Sequence, residues 1–396
     1  MNRGLRIGQI FGINIYIDAS WVLIFLLVIW SLASGLFPAW HPEWGAGLRW
    51  GVALVASLLF FCSILLHELS HSVVAKARGL PVRRITLFLF GGVSNIEREP
   101  PTPKTEFLMA VVGPLTSIVL GIIFLALARI GVTSSERMLE TPREVMLELG
   151  PVATLLLWLG PINIFLGIFN LLPGFPLDGG RVLRSILWQA TGSLQRATRW
   201  ATGVGRVIGW LFILTGIAMA FGARVPIFGT GFVSGLWLVF IGWFLSNAAT
   251  ASYQQTIIHN LLEDVPVSRL MRANVPTVAP NLTISKLVYE HVMGTDEQAF
   301  PVVENDQMIG LVCLEDIRRV PRDQWDHLTV GDIMTRAGQL DVVAAREDAS
   351  EALEKLTRRD VRQIPVVDNG HLVGLLRRRD ILKWLDVQSS AELHGH

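Results

Sequence analysis

The chain has 396 residues, 51% of them hydrophobic and 17% charged, and its mean hydropathy of +0.46 excludes a wholly soluble globule. The net charge of +1 averages two unlike parts: residues 1–260 carry 18 Lys/Arg against 11 Asp/Glu, and the remaining 136 residues carry 16 against 22. No basic stripe accompanies a soluble face, so nucleic acid is excluded as a partner.

Uncharged stretches long enough to cross a bilayer run over Ala19–Trp40, Trp50–Leu66, Phe107–Ala128, Leu149–Leu177, Val207–Ala223 and Val225–Asn247. No small-residue cleavage site follows the first, which is read as a retained helix and not a signal peptide. Six spans return both ends to one side. Arg3, Arg6, the cluster Lys76, Arg78, Arg83, Arg84, Arg98, Lys104 and the cluster Arg181, Arg184, Arg196, Arg199, Arg206 share one face, and the positive-inside rule makes that face cytoplasmic. The loop with His41 and Glu43 and the connection with Glu136, Glu140, Glu144 and Glu148 then fall outside. Trp21, Trp40, Trp44 and Trp50 stand near span ends, where interfacial anchoring accounts for them. Cys62 lies in an apolar run and Cys313 in the charged part, so no disulfide is expected between them.

Ionisable residues inside a hydrophobic body need a partner or a task. His67-Glu68-Leu69-Ser70-His71 closes the second span and places two imidazoles one helical turn apart on one face. Such a pair supplies two zinc ligands, and Glu68 on the adjacent face is a base for a water proton. A third ligand must come from elsewhere. Ala77 and Val74 occupy the positions where the extended metzincin pattern has His and Gly. Glu97 and Glu99 are candidates in a loop; Asp178, the sole acid between Glu148 and Glu263, is the better one. It follows Asn170-Leu171-Leu172-Pro173-Gly174-Phe175-Pro176-Leu177, where two prolines break the helix and free backbone groups that only a buried or wet site satisfies. A helix-terminating turn with Asp178 paired to Arg181 fits the same residues. The run Val82–Ile96, β-branched and aromatic with Gly91-Gly92 as its turn, reads as a β-hairpin whose edge could accept an unwound substrate strand.

Together the His-Glu-x-x-His pentapeptide and the Asn-x-x-Pro-x-x-Pro-x-Asp-Gly segment resemble the site-2 protease family, intramembrane zinc metalloproteases of regulated intramembrane proteolysis. Gly12–Ile15, Leu87–Val93 and Gly113-Pro114-Leu115-Thr116-Ser117 extend the resemblance over roughly residues 5–250. It implies one zinc held by His67, His71 and Asp178, with Glu68 as general base and Asn170 holding substrate. Asn163, further back on the same span, lines the cavity or joins helices, and Gly91 and Gly92 belong to the substrate-binding hairpin. The implied substrate is a single-pass transmembrane protein that must unwind locally before its peptide bond can be attacked. The glycines of the last two spans, such as Gly209, Gly216, Gly235 and Gly242, would permit a gating shift.

From Thr250 to Leu262 the chain reads as a polar connector, and beyond it an internal repeat begins. Phe300-Pro301-Val302-Val303 matches Ile364-Pro365-Val366-Val367, and Gly310–Ile317 matches Gly374–Ile381, both at an offset of 64. Each copy holds a helical stretch, two short strands and a closing helix, so two halves share one core. The repeat resembles a tandem CBS domain. That resemblance implies an adenine nucleotide in the clefts, with Asp316 and Asp380 on ribose; Cys313 and Arg377 stand where a hydroxyl is usual, and Arg377, with Arg378 and Arg379, could clamp phosphate. A purely structural, dimerising role is the other reading, and the Arg run could equally be solvated or membrane-facing.

The expected fold is therefore a polytopic α-helical membrane protein of six transmembrane helices with a membrane-associated β-hairpin, followed by a soluble α+β tandem CBS module. Expected boundaries are 1–250 for the protease-like part, 251–262 for a linker, 263–322 and 323–387 for the two CBS copies, and 388–396 for a tail that includes His394 and His396. The expected location is a bacterial or archaeal inner membrane with both termini cytoplasmic. Another class of membrane zinc peptidase, or a CBS-regulated divalent-metal transporter, is the alternative. The Asn170–Gly180 setting of Asp178 argues against the first, and Glu68 separates the second, since a transporter needs no hydrolytic base.

Overall fold

The computed structural model describes residues 4–89, 91–96, 99–130, 147, 149–226, 229–358, 361–368 and 370–393. The acidic connection at Glu136, Glu140, Glu144 and Glu148, together with Glu97, Arg98, His394 and His396, lies outside these described residues. Two units are present, residues 1–254 and 255–396.

Six helices of the described residues are long and apolar enough to span a bilayer: Ala19–Trp40, Ala46–Ala77, Pro103–Ile130, Pro151–Asn170, Leu194–Ala220 and Phe232–Leu262, called spans one to six. Large apolar side chains such as Leu23, Leu26, Ile122, Leu211 and Leu214 remain exposed on their outer faces, as a lipid solvent requires. The fourth span is shorter than its hydropathy suggested. It stops at Asn170 because Pro173 and Pro176 lack amide donors, and after the turn Asp178 opens a separate amphipathic helix, Asp178–Thr191. Asp178 is thus not at the end of span four. The polar stretch 251–262, expected as a connector, continues span six as helix, since it contains neither Gly nor Pro and polar side chains alone do not stop a helix.

The hairpin belongs to a larger sheet. Strands β1 (Gly4–Ile10), β2 (Ile13–Asp18), β3 (Val82–Phe88) and β4 (Gly91–Ile96) lie in the order β1-β2-β3-β4. The β2–β3 pair is parallel, Ile15 beside Ile85, so spans one and two form the crossover that parallel strands need. Asp18 ends β2 and caps span one by accepting from the Ser20 amide at 2.9 Å. Gly91 and Gly92 are not the turn: they pair with Phe88 and Leu87 inside β4, and the turn lies before them. Ile13, Val82 and Ile85 are buried against Leu69, Ala75 and Met109, which fixes one face of the sheet on spans two and three.

At the other end of the bundle, Phe37, Trp44, Val52, Ala56 and Leu159 form a core among spans one, two and four. His41 is fully buried there, Nε2 2.8 Å from Thr154 Oγ1 and its ring stacked on Trp44 at 4.0 Å. Trp44 is therefore a packing residue and not an interfacial anchor.

In the C-terminal unit β5 (Ala299–Glu304) pairs with β6 (Gln307–Cys313), and β8 (Gln363–Asp368) with β9 (His371–Arg377), in equivalent antiparallel registers. The halves exchange their leading segments. Arg272, ahead of the first half, bridges to Leu375 of β9, while β7 (Thr335–Arg336), ahead of the second, pairs with β6. Neither half completes its sheet alone, which explains why the unit is a repeat of two. Cys62 and Cys313 are both free.

Candidate metal centre

Span two carries His67 and His71 on its buried face, and the turn after span four delivers Asp178 to the same point. His67 Nε2 and His71 Nε2 are 3.2 Å apart, and Asp178 Oδ2 lies 3.1 Å from the first and 3.2 Å from the second. Three donors bound tetrahedrally at zinc distances would have edges of about 3.3 Å. Arg181 does not take Asp178; it faces Glu106 instead, at 4.0 Å.

The outer nitrogens explain the inward ones. His71 Nδ1 donates to the Met109 carbonyl at 2.5 Å, and His67 Nδ1 meets Ser117 Oγ at 2.9 Å. With its Nδ1 proton committed to a carbonyl, a neutral His71 turns an Nε2 lone pair toward both His67 and the carboxylate. Lone pairs and a carboxylate converging at this separation repel unless a cation lies among them, so the donor set fits a divalent metal. Span three reaches this close because position 113 is glycine: a Cβ there would overlap His71 Nε2 and crowd His67 Nε2. Ser117, Met109 and Gly113 went unassigned as supports in the sequence, where only the Gly-Pro run stood out; their spacing on one helix face was the available signal.

Glu68 is held by β4. Ser94 Oγ donates to Glu68 Oε2 at 2.9 Å and receives a hydrogen bond from Ser72 Oγ at 3.1 Å. Gly92 lies against the same side chain, since a Cβ would overlap Glu68 Cγ. Of the sheet's two edge strands, β1 and β4, β4 is the one that touches Glu68. Gly91 pairs with Phe88 at the strand's start. Asn163 is fully buried, donates to the Leu159 carbonyl at 2.8 Å and leaves its Oδ1 without a partner. Asn170, two turns on, donates to the Leu166 carbonyl at 2.9 Å. Glu99 sits 3.8 Å from Arg184 and not among the three donors. Arg184, grouped with the cytoplasmic loop cations by sequence, is buried and bound to Glu106.

In the C-terminal unit the carboxylates are already engaged. Asp380 accepts from Arg377 Nε at 2.6 Å and Nη2 at 2.8 Å, and Asp316 accepts the Cys313 amide at 2.9 Å as a helix cap. Burial, then the neighbouring Asp316 and Glu315, push the Cys313 thiol up to about 12, so it stays neutral. Arg377 also reaches Glu297, a buried carboxylate whose Oε1 pairs with Arg272 as well. A cleft of about 360 Å³ lies over this network, lined by Arg269, Arg272, Arg377, Asp380, Lys383 and Trp384. Glu297 was not anticipated, because nothing in its local sequence distinguishes it from a solvated acid.

Residues 55–214 match the family model of peptidase family M50, and residues 267–323 and 330–387 each match that of the CBS domain. A protein of Synechocystis sp. named as a zinc metalloprotease, sll0528, is 35% identical over 393 residues, 98% of this chain and 97% of the relative. Rip3 of Mycobacterium tuberculosis, likewise named as a zinc metalloprotease, is 32% identical over 394 residues, 99% of this chain and 95% of the relative. Among solved structures, a site-2 protease from Methanocaldococcus jannaschii is 27% identical, with a TM-score of 0.41, covering 63% of this chain and 94% of that one.

Proposed function

The chain belongs to peptidase family M50 and is a membrane metallopeptidase of the site-2 protease type, and from that premise we propose that it hydrolyses peptide bonds within transmembrane segments of membrane-tethered regulators. His67, His71 and Asp178 would hold zinc. The observation that carries this is the convergence of two Nε2 atoms and Oδ2 within 3.2 Å while the Nδ1 of His71 is spent on a carbonyl. Bound there, zinc supplies a Lewis acid that polarises the scissile carbonyl and acidifies water.

The remaining steps fall to the protein. Glu68 takes a proton from water and returns it to the departing amine nitrogen, with Ser94 fixing one carboxylate oxygen. The free edge of β4, including Gly91 and Gly92, pairs with the unwound substrate as an added strand, which replaces the hydrogen bonds the substrate helix gives up. Asn170 and Asn163 contribute polar groups to the substrate cavity; the unpartnered Oδ1 of Asn163 supports this role. In the same reading the protease part spans 1–250 of an inner membrane with cytoplasmic termini. The CBS pair at 263–322 and 323–387 then regulates access or forms a homodimer, and an adenine nucleotide is its ligand.

The test is cleavage of a model single-span substrate by the full chain in lipid, wild type against Glu68→Gln, with zinc assayed in both. The expected outcome is cleavage within the span and a loss of roughly 10²–10⁴ in kcat for the variant at equal zinc content. Zinc bound in both with cleavage in neither would favour metal transport instead.

A further inference from the structure

Span three carries a buried charge that the proposed hydrolysis does not use. Glu106 is fully buried at the start of the helix, and its Oε1 accepts from Arg184 Nε at 2.6 Å and also from Arg184 Nη2. Arg184 is itself 5% exposed and belongs to the helix Asp178–Thr191, six residues beyond Asp178. Its guanidinium lies over the Phe175 ring at 5.2 Å, in the proline turn that leads to Asp178. Arginine presents a planar fork, so this pairing fixes direction as well as distance. Two charges taken out of water are weak evidence for stability, because desolvation cancels much of their attraction. A geometric role accounts for them better.

The register of span three gives that role. Glu106, Met109, Gly113 and Ser117 follow one another at spacings of three, four and four, which is one face of a helix. Along it, Ser117 meets His67, Gly113 makes room for both imidazoles, the Met109 carbonyl holds His71, and Glu106 holds the helix that carries Asp178. We propose that the Glu106–Arg184 pair positions Asp178, so that one face of span three is the template for all three donor side chains. This rests on the reading of Asp178 as a zinc ligand. Glu106 and Arg184 are positioning residues and touch neither metal nor substrate. Losing one of the two would leave the other buried charge with only a longer contact, Arg181 at 4.0 Å for Glu106 or the partly exposed Glu99 at 3.8 Å for Arg184, so removing both together separates geometry from buried charge.

The experiment is zinc affinity by chelator competition on the full chain in lipid, for wild type, Asp178→Ala, Arg184→Lys and the paired Glu106→Leu with Arg184→Met. Thermal unfolding of each zinc-free protein is measured alongside. The paired variant is expected to bind zinc about 10- to 100-fold more weakly, the range for groups that orient a ligand, and Arg184→Lys to fall between it and wild type. Unfolding of the zinc-free forms should be close to wild type. Wild-type affinity in the paired variant, with zinc lost in Asp178→Ala, would overturn the template. A zinc loss matched by unfolding of the zinc-free paired and Arg184→Lys proteins would also overturn it, since the pair would then be a fold element only. Unchanged zinc in Asp178→Ala would instead remove the ligand reading beneath it.

Discussion

Asp178 and Asp380 each stand in the first turn of a helix, and the protein uses them in opposite ways. Asp380 finds its counter-ion three residues back on its own chain, in Arg377, whose hydrogen bonds to it hold the guanidinium above its ordinary pKa. Asp178 also has an arginine three residues away, but Arg181 faces Glu106, and Asp178 instead meets two imidazoles from a helix more than a hundred residues away in sequence. A carboxylate satisfied locally is a structural part, whereas one brought by the fold to other donors is left with coordination to offer. The contrast sets three converging donors in the membrane unit against a carboxylate of the C-terminal unit that is already paired with its near neighbour Arg377.

The strongest way to break that contrast is Gly113→Ala. Alanine is the better helix former by up to about 1 kcal/mol, so span three itself would gain. The added methyl would nevertheless enter the space of both Nε2 atoms. Zinc affinity is expected to fall on the order of 100-fold or more, measured by metal content after dialysis. Full zinc content in this variant would mean that the bound zinc is not held by the two Nε2 atoms beside Gly113.

A smaller effect is expected from the paired side. Glu297→Ala removes a buried carboxylate shared by Arg272 and Arg377. Stranding a buried charge costs about 3–5 kcal/mol, but here Arg272 is half exposed and Arg377 keeps Asp380. About 1–3 kcal/mol is therefore expected, read as faster hydrogen exchange over 267–387 with zinc affinity unchanged. A change in zinc content would show that the two units do not keep separate accounts of their charges.

How much of this was legible depended on whether the signal was local. His67, Glu68 and His71 share one turn, and Asp178 stands alone among apolar residues, so they stood out as candidates, and the fold brings His67, His71 and Asp178 together. The repeat was visible because its two copies preserve the same alternation at a fixed offset. Strand β1 and the parallel pairing of β2 with β3 were not, since that register depends on two intervening helices returning to the same place. Glu106 and Arg184 were hidden for the same reason: each reads as an end-of-span charge, and only the fold turns them into a buried pair. Span six shows the converse, where polar composition indicates a linker but not its conformation: the stretch is helical, since no residue there breaks a helix.

The finest test concerns Ser94, which joins the edge strand β4 to Glu68. Ser94→Ala deletes one hydrogen bond to a carboxylate and leaves the three donors and the backbone edge of β4 untouched. Such a bond contributes about 0.5–1.5 kcal/mol net, so kcat should fall roughly two- to tenfold while KM and zinc content hold. Ser94→Thr, which keeps the hydroxyl, should restore kcat. The split matters for the comparison above: Asp178 is held by groups that would orient a metal ligand, and Ser94 would be a support for the base alone. If Ser94→Ala raised KM and left kcat intact, the hydroxyl would serve the substrate strand, and Glu68 would owe its orientation to packing against Gly92.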